Sequence, residues 1–336
     1  MLLNRISYIL TLLCNSTCTY CYEGVPTENR QLSNLSIDRF TRLVKDIPKA
    51  DNWILEFIGG EPSLYNGWEY LYNVIKELSP NKIMIFTNGI ILNSQMLNFV
   101  NHFHDKVEMR IQYNTSDITV VNAFKNTGCR IYEHIIIDKY FINSKKLNSL
   151  LYASDDIIFI LSEYRGLSDD LNHSDIIKYG EFIIKNNLVY KSGLKYLISL
   201  IDGKFGNSSA CSTCMPYYEE IAIRPDNLIV PCSRWSHGSG VTSLSVDTDI
   251  NTLMSEVKQQ AMFFSNVRNV TKINDNVDCK NCILYTQCNP CKMNIGDEKN
   301  INENLFKSEK KCEYERMMFS SQLELYKLWK EVSVEH

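Results

Sequence analysis

No apolar run in this chain approaches the length of a membrane-spanning helix, which excludes a helical membrane span. A secretory signal is also missing. The one suggestive stretch, Ile6–Leu13 behind Arg5, is short, is interrupted by Ser7, Tyr8 and Thr11, and has no small residues ahead of Cys14. It reads instead as a buried first strand. There is no excess of either charge. The 35 basic and 39 acidic residues leave a net charge of −4, so composition gives no argument for nucleic acid or a membrane surface as partner. No fixed-period repeat and no low-complexity tract interrupts the chain. A cytoplasmic, oxygen-protected location is the expectation.

What the chain does have is length and cysteine. Its 336 residues suffice for one large α/β domain with a smaller appendage. Twelve cysteines in a small secreted protein would imply disulfides, but this chain is not small and its cysteines are tightly clustered. Such spacing reads first as ligation of a metal or a cluster.

Short apolar strands alternate with amphipathic helices through the first half. Strands are expected at Ile6–Leu13, Trp53–Ile58, Lys82–Phe86, Val107–Gln112, Ile131–Ile137 and Ile157–Leu161. Helices are expected at Ser36–Ile47 with Ser36 as N-cap, Trp68–Leu78, Ser94–Val100, Asp117–Lys125 and near Lys145–Leu151. Nearly continuous Ile, Val, Leu and Phe in the strands is the mark of a sheet covered on both faces. The fold class is therefore α/β with a parallel sheet, either a closed or partly open (β/α) barrel or a doubly wound sheet. Both place their active sites in the loops after the strand C-termini. From about residue 200 the alternation stops and Gly, Ser, Asn and Cys increase. The domains expected are a core at 1–200, a Cys-rich domain at 201–312 and a C-terminal helix at 313–336, periodic from Tyr314 to Val332.

Three features carry chemistry. Cys14, Cys18 and Cys21 put three thiols within eight residues, enough to hold one iron–sulfur cube and leave one iron open. Zinc would ordinarily take four ligands from two separated pairs, and no fourth Cys or His lies close by. Gly59-Gly60-Glu61-Pro62 ends the second expected strand. Its glycines free the backbone for a sharp turn and close approach, and its carbonyls and carboxylate suit an ammonium group. Thr87-Asn88-Gly89 ends the third and reads as a turn. Downstream, Cys211, Cys214, Cys232, Cys279, Cys282, Cys288, Cys291 and Cys312 could ligate two four-iron clusters or two zinc ions, and spacing alone does not choose. His237 reads as a surface residue and Cys129 as a small buried side chain.

The first cluster resembles the signature of the radical S-adenosylmethionine (radical SAM) superfamily, Cys-x3-Cys-x2-Cys with an aromatic, here Tyr20, before the last cysteine. The resemblance implies a partial (β/α)6 barrel and a 4Fe–4S cluster whose open iron chelates S-adenosylmethionine. Reduction then gives methionine and a 5′-deoxyadenosyl radical that abstracts hydrogen from substrate. It places Tyr20 near the adenine and gives Gly59, Gly60, Glu61 and Pro62 the methionyl ammonium. It gives Asn88 a place on the cofactor side, and Gln112, Asn114 and Asp138 places near the ribose or carboxylate. The C-terminal cysteines resemble the SPASM extension of peptide-modifying members of the superfamily. That resemblance implies two auxiliary 4Fe–4S clusters, one on Cys211, Cys214, Cys232 and Cys291, the other on Cys279, Cys282, Cys288 and Cys312. Two of the spacings here are shorter than the family's, which leaves the pairing open.

By the same resemblance the substrate is a peptide or protein, a short ribosomally made precursor above all, and a flavodoxin or ferredoxin donates electrons. The expected outcome is an intramolecular cross-link: carbon–carbon, ether or thioether. Formylglycine formation by a sulfatase activator and peptide epimerisation are alternatives. In the activators an Asp follows the third auxiliary cysteine, whereas Ser233 follows Cys232 here. The chain starts at the first strand, so leader recognition is expected from a separate protein or another surface. No catalytic acid or base is assigned; Glu163, Asp202 and Tyr217 are conceivable and read as structural. A zinc-stabilised scaffold without radical chemistry is the reading from another class.

Overall fold

The computed structural model describes residues 2–18, 37–152, 157–162, 170–205, 219–230, 244–245, 248–259, 282, 284 and 309–334. They form two compact units. The first holds the chain up to Glu133 and the described residues 219–259; the second holds the described residues from His134 to 205 and from 282 onward.

In the first unit β1 (Leu3–Ile9), β2 (Lys49–Ile58), β3 (Lys82–Thr87) and β4 (Val107–Gln112) are joined through α1 (Ile37–Asp46), α2 (Trp68–Leu78) and α3 (Ser94–His102). α4 (Ile118–Lys125) follows β4. The pairs β1–β2, β2–β3 and β3–β4 are parallel. On the other side of β1, β7 (Glu220–Ile223) adds a further parallel strand, and β8 (Leu228–Val230) and β9 (Leu244–Ser245) continue antiparallel. The strand order in this unit is β4-β3-β2-β1-β7-β8-β9. The fold class read from the sequence, α/β with a parallel sheet, is the one observed; the antiparallel addition was not foreseen.

The helices cover one sheet face because the sequence makes that face aromatic and aliphatic. Tyr8, Leu55, Phe57, Ile83, Ile85, Met109 and Ile111 meet Phe40, Val44, Trp68, Leu71 and Phe99 from the helices. Tyr8 stacks on Phe40 at 4.1 Å, and Phe57 meets Trp68 edge-on at 5.7 Å, geometries that add to area burial. A helix at 250–259, α8, adds Leu253 and Val257 to the same core. The sheet also buries a polar set. Glu56, 2% exposed, accepts a short hydrogen bond from Ser7 and lies 3.9 Å from the Arg5 guanidinium, which also approaches Glu220 at 3.7 Å.

β5 (Arg130–Ile137) runs from the end of the first unit into the second, which holds β6 (Ile157–Leu161), the single-turn helix α5 (Lys139–Ile142) and a 3₁₀ stretch Lys145–Tyr152. A helix-like stretch was read near Lys145–Leu151; the chain is helical there as the 3₁₀ stretch, and α5 before it was not read. α6 (His173–Lys185) starts at a capping box, with Asn172 and Asp175 exchanging side-chain and backbone bonds. α7 is Lys195–Ile201, and the last helix, α9, is Glu309–Val334. α9 packs on α6 and α7 through named contacts. The Gln322 side-chain oxygen accepts from both Tyr196 N and Leu197 N at 3.0 Å, satisfying donors at the start of α7. Glu315 accepts from the Tyr196 hydroxyl and from Lys195 Nζ at 3.2 Å. Gly180 lets α6 approach, since a Cβ there would lie 2.1 Å from Leu325 Cδ1. Among the described residues no helix is long and apolar enough to cross a membrane.

Candidate functional site

The loops after β1, β2, β3 and β4 lie at the C-terminal ends of parallel strands in the first unit. Backbone bonds draw the first two together. Leu10 N bonds Ile58 O at 2.8 Å, Gly60 N bonds Thr11 O at 2.8 Å, and Glu61 N bonds Leu13 O at 2.7 Å. The approach is so close that only glycine fits at two positions. A Cβ on Gly59, whose φ is +151°, would lie 2.3 Å from Thr11 O. A Cβ on Gly60 would lie 2.1 Å from Leu13 O. The glycine pair thus seats the end of β2 against the chain that leads into Cys14. Gly60→Ala is expected to destabilise the fold by roughly 2–4 kcal/mol, since backbone must shift on one side or the other. A urea unfolding curve checks this as a lowered midpoint at unchanged slope.

Cys14 and Cys18 follow on this loop as half-buried thiols outside any disulfide, with Ser16 Oγ 3.1 Å from Cys18 Sγ. Cys21 and Tyr20 lie outside the described residues. Soft sulfur donors on one short loop beside a strand end suit an iron–sulfur cluster. Among the described residues no group of three or more potential ligands assembles, since the third thiol of the trio lies outside them.

Glu61 is 1% exposed. Its carboxylate accepts from Ser63 N at 2.9 Å, Thr87 Oγ1 at 2.6 Å and Asn88 N at 2.7 Å. It N-caps the 3₁₀ turn Pro62–Leu64, with Pro62 at the first position, where a missing N–H loses nothing. Burial pushes its proton affinity up, against the opposing pull of those donors. The side chain therefore clamps two loops, its own and the one after β3. The Pro62 carbonyl is taken by Trp68 Nε1 at 3.0 Å.

Asn88, 7% exposed, joins the Glu61 clamp to the cysteine loop. Its Nδ2 donates to Asn15 Oδ1 at 2.7 Å, its Oδ1 accepts from Ile90 N at 3.0 Å, and its carbonyl accepts from Thr115 Oγ1 at 2.8 Å. Gly89, at φ +67°, completes the turn, and its carbonyl accepts from Asp117 N at 2.9 Å. Gln112 and Asn114 are half-buried in the loop after β4, where the Gln112 carbonyl accepts from Ser116 N at 3.1 Å. The structure thus gathers Gly59, Gly60, Glu61, Pro62 and Asn88 into one bonded neighbourhood with the chain on either side of Cys14, whereas Cys18 is seen bonded to Ser16. Thr11 and Asn15 belong to it too and were not singled out. Thr11 is 1% exposed and Asn15 adjoins Cys14, but nothing in their residue type marks them.

In the second unit Asp138 caps α5 by accepting from Phe141 N at 2.7 Å. Cys282 and Cys312 are half-buried thiols outside any disulfide, the latter on α9. Asp202 caps the end of α7 and accepts from Tyr190 at 3.3 Å. Cys129 is buried, as its sequence context suggested, and burial pushes its thiol pKa up. Cys211, Cys214, Cys232, Cys279, Cys288, Cys291, Ser36, Glu163, Tyr217, Ser233 and His237 lie outside the described residues.

Residues 8–134, from β1 into β5, match the Radical SAM superfamily model. The chain carries a radical SAM domain. This radical SAM enzyme is 25% identical to the cysteine-type anaerobic sulfatase-maturating enzyme of Clostridium novyi, over 87% of its own length and 89% of that protein. It is 24% identical to the GTP 3′,8-cyclase of a Synechocystis strain, over 81% and 83%. Among solved structures, its fold is similar to anSMEcpe with bound AdoMet, at 14% identity and a TM-score of 0.67 over 98% of this chain and 99% of that one. It is also similar to Streptococcus suis SuiB bound to the precursor peptide SuiA, at 13% identity and a TM-score of 0.60 over 87% and 72%. A radical SAM domain implies a 4Fe–4S cluster and S-adenosylmethionine, and Cys14 and Cys18 offer the thiolates such a cluster takes.

Proposed function

We propose that this radical SAM enzyme modifies a ribosomally made peptide, installing an intramolecular carbon–carbon, ether or thioether cross-link. The cluster, once bound at Cys14, Cys18 and Cys21, supplies the reductive cleavage that starts hydrogen abstraction. The chain's residues bind and orient. The Gly59–Pro62 segment receives the methionyl end, Asn88, Gln112 and Asn114 line the cofactor side, and Tyr20 serves the adenine. The eight downstream cysteines hold two auxiliary 4Fe–4S clusters, and a flavodoxin or ferredoxin supplies the electron.

The observation that carries this reading is full-length likeness in fold to a peptide-bound enzyme: anSMEcpe with bound AdoMet and Cp18Cys peptide, TM-score 0.65 over 98% of this chain. A second feature supports it. The loops after β1, β3 and β4 expose Leu13, Ile90, Ile91, Leu92 and Tyr113, an apolar rim suited to an extended peptide. The relative from Clostridium novyi favours a second reading, formylglycine formation in a sulfatase. Ser233 after Cys232, where the activators have Asp, weighs against it.

Anaerobic coexpression with a short precursor peptide encoded beside the gene tests the proposal. Each cross-link should remove two hydrogens, about 2 Da, from the peptide in mass spectrometry. An unchanged peptide mass, with a sulfatase peptide converted to the aldehyde instead, would replace this reading by the second.

A further inference from the structure

We infer that the Asn15–Asn88 hydrogen bond is a positioning device that sets the cysteine loop in register with the segment receiving the S-adenosylmethionine ammonium. The inference rests on the reading of Cys14, Cys18 and Gly59–Pro62 given above. Asn15 directly follows Cys14, and its side-chain oxygen accepts from Asn88 Nδ2 at 2.7 Å across 73 positions of sequence. The same Asn88 donates its backbone N–H to Glu61 at 2.7 Å. One residue therefore holds both halves of the site, the thiol loop by its side chain and the ammonium segment by its main chain.

The remaining atoms of Asn88 keep it in place. Ile90 N fixes its side-chain oxygen, which leaves the amide nitrogen directed at Asn15, and Thr115 holds its carbonyl. With these bonds made and 7% exposure, the side chain acts through Asn15 and not as a ligand itself. Among the described residues, main-chain bonds from Gly60 and Glu61 to Thr11 and Leu13 tie the two loops before Cys14, and the Asn15 contact ties them after it. Loss of it removes the tie beyond Cys14, which would change how the thiol loop sits against the Gly59–Pro62 segment.

The test is a double-mutant cycle of Asn15→Ala, Asn88→Ala and both, read by the change that S-adenosylmethionine makes in the electron paramagnetic resonance spectrum of the reduced, reconstituted protein. Titrating that change gives the affinity. Asn15 is exposed, so its truncation leaves the fold intact, which thermal unfolding of the metal-free protein checks. Asn15→Ala should bind S-adenosylmethionine about tenfold more weakly, the scale of one lost polar contact, with the same iron content as the parent. The double variant should be no weaker than Asn88→Ala alone. Parent-like affinity in Asn15→Ala, or independent effects of the two changes, overturns the inference. Should Asn88→Ala fail to fold, Asn15→Ala decides by itself. A parent protein with no spectral response to S-adenosylmethionine would overturn the underlying site assignment instead.

Discussion

Cys18→Ser will abolish release of 5′-deoxyadenosine from S-adenosylmethionine, a fall of at least about 10³-fold, or about 4 kcal/mol in the barrier. The reason is ligand chemistry. An alkoxide is a far poorer ligand than a thiolate for a soft iron–sulfur cube, and a cube held by three residues has no spare ligand. Cys18 sits half-buried on a loop whose entry is pinned by the Gly60 and Glu61 backbone bonds. Iron analysis after anaerobic reconstitution should show about four fewer irons per chain. The downstream cysteines should retain theirs. Undiminished 5′-deoxyadenosine from the variant would remove Cys18 from the site. A parent protein that takes up zinc and shows no visible charge-transfer absorbance would favour the scaffold reading over an iron enzyme.

Glu61→Gln will loosen the whole strand-end cluster and weaken S-adenosylmethionine binding together. The carboxylate accepts three hydrogen bonds, and an amide can present only one oxygen to them. If that oxygen stays with Ser63 and Thr87, the amide nitrogen faces the Asn88 N–H, donor against donor. The expected loss is about 2 kcal/mol of stability at neutral pH, measured by urea unfolding. Its pH dependence has a definite sign. Burial raises the folded-state pKa of Glu61 above the unfolded value. Between the two values the folded chain holds more protons than the unfolded one, so this group's contribution to stability declines as pH rises through that window. Glutamine does not titrate. The gap between parent and variant should therefore be widest at the acid end of the window and narrow upward. A gap that widens with pH would mean the three donors outweigh burial.

The legible parts of the fold were those where one short apolar run makes one element. Val107–Gln112, Ile157–Leu161 and Trp68–Leu78 fall where the pattern puts them, since short apolar runs and helices with one apolar stripe leave strong local signals. α6 was not assigned, although Asn172 and Asp175 form a capping box. β7, β8 and β9 were too short to stand out. The helix-like stretch near Lys145–Leu151 is a 3₁₀ helix, Lys145–Tyr152, whereas α5 was not read because its four residues are too few for a periodic pattern.

At the site, residue type and spacing brought out Cys14, Cys18, the Gly59–Pro62 segment and Asn88 as separate motifs. Their mutual bonds were beyond reach. Nothing local in Thr11 or Asn15 shows that one accepts from Gly60 and the other from Asn88, since those contacts exist only once β1, β2 and β3 lie side by side. The glycine pair shows the same limit. Its sequence announces close approach, but only the fold reveals that the first thing approached is the main chain at Thr11 and Leu13.

β1 has a neighbour on each side, β2 and β7, and its amides are tied into both ladders. The strand that feeds the thiol loop is thus an interior one, among the last segments to open in local fluctuations, with solvent exchange of its amides correspondingly slow. Emptying and refilling the loop then demands no breach of the sheet. The backbone that delivers Cys14 is held by the sheet on both sides, independently of what its thiol binds.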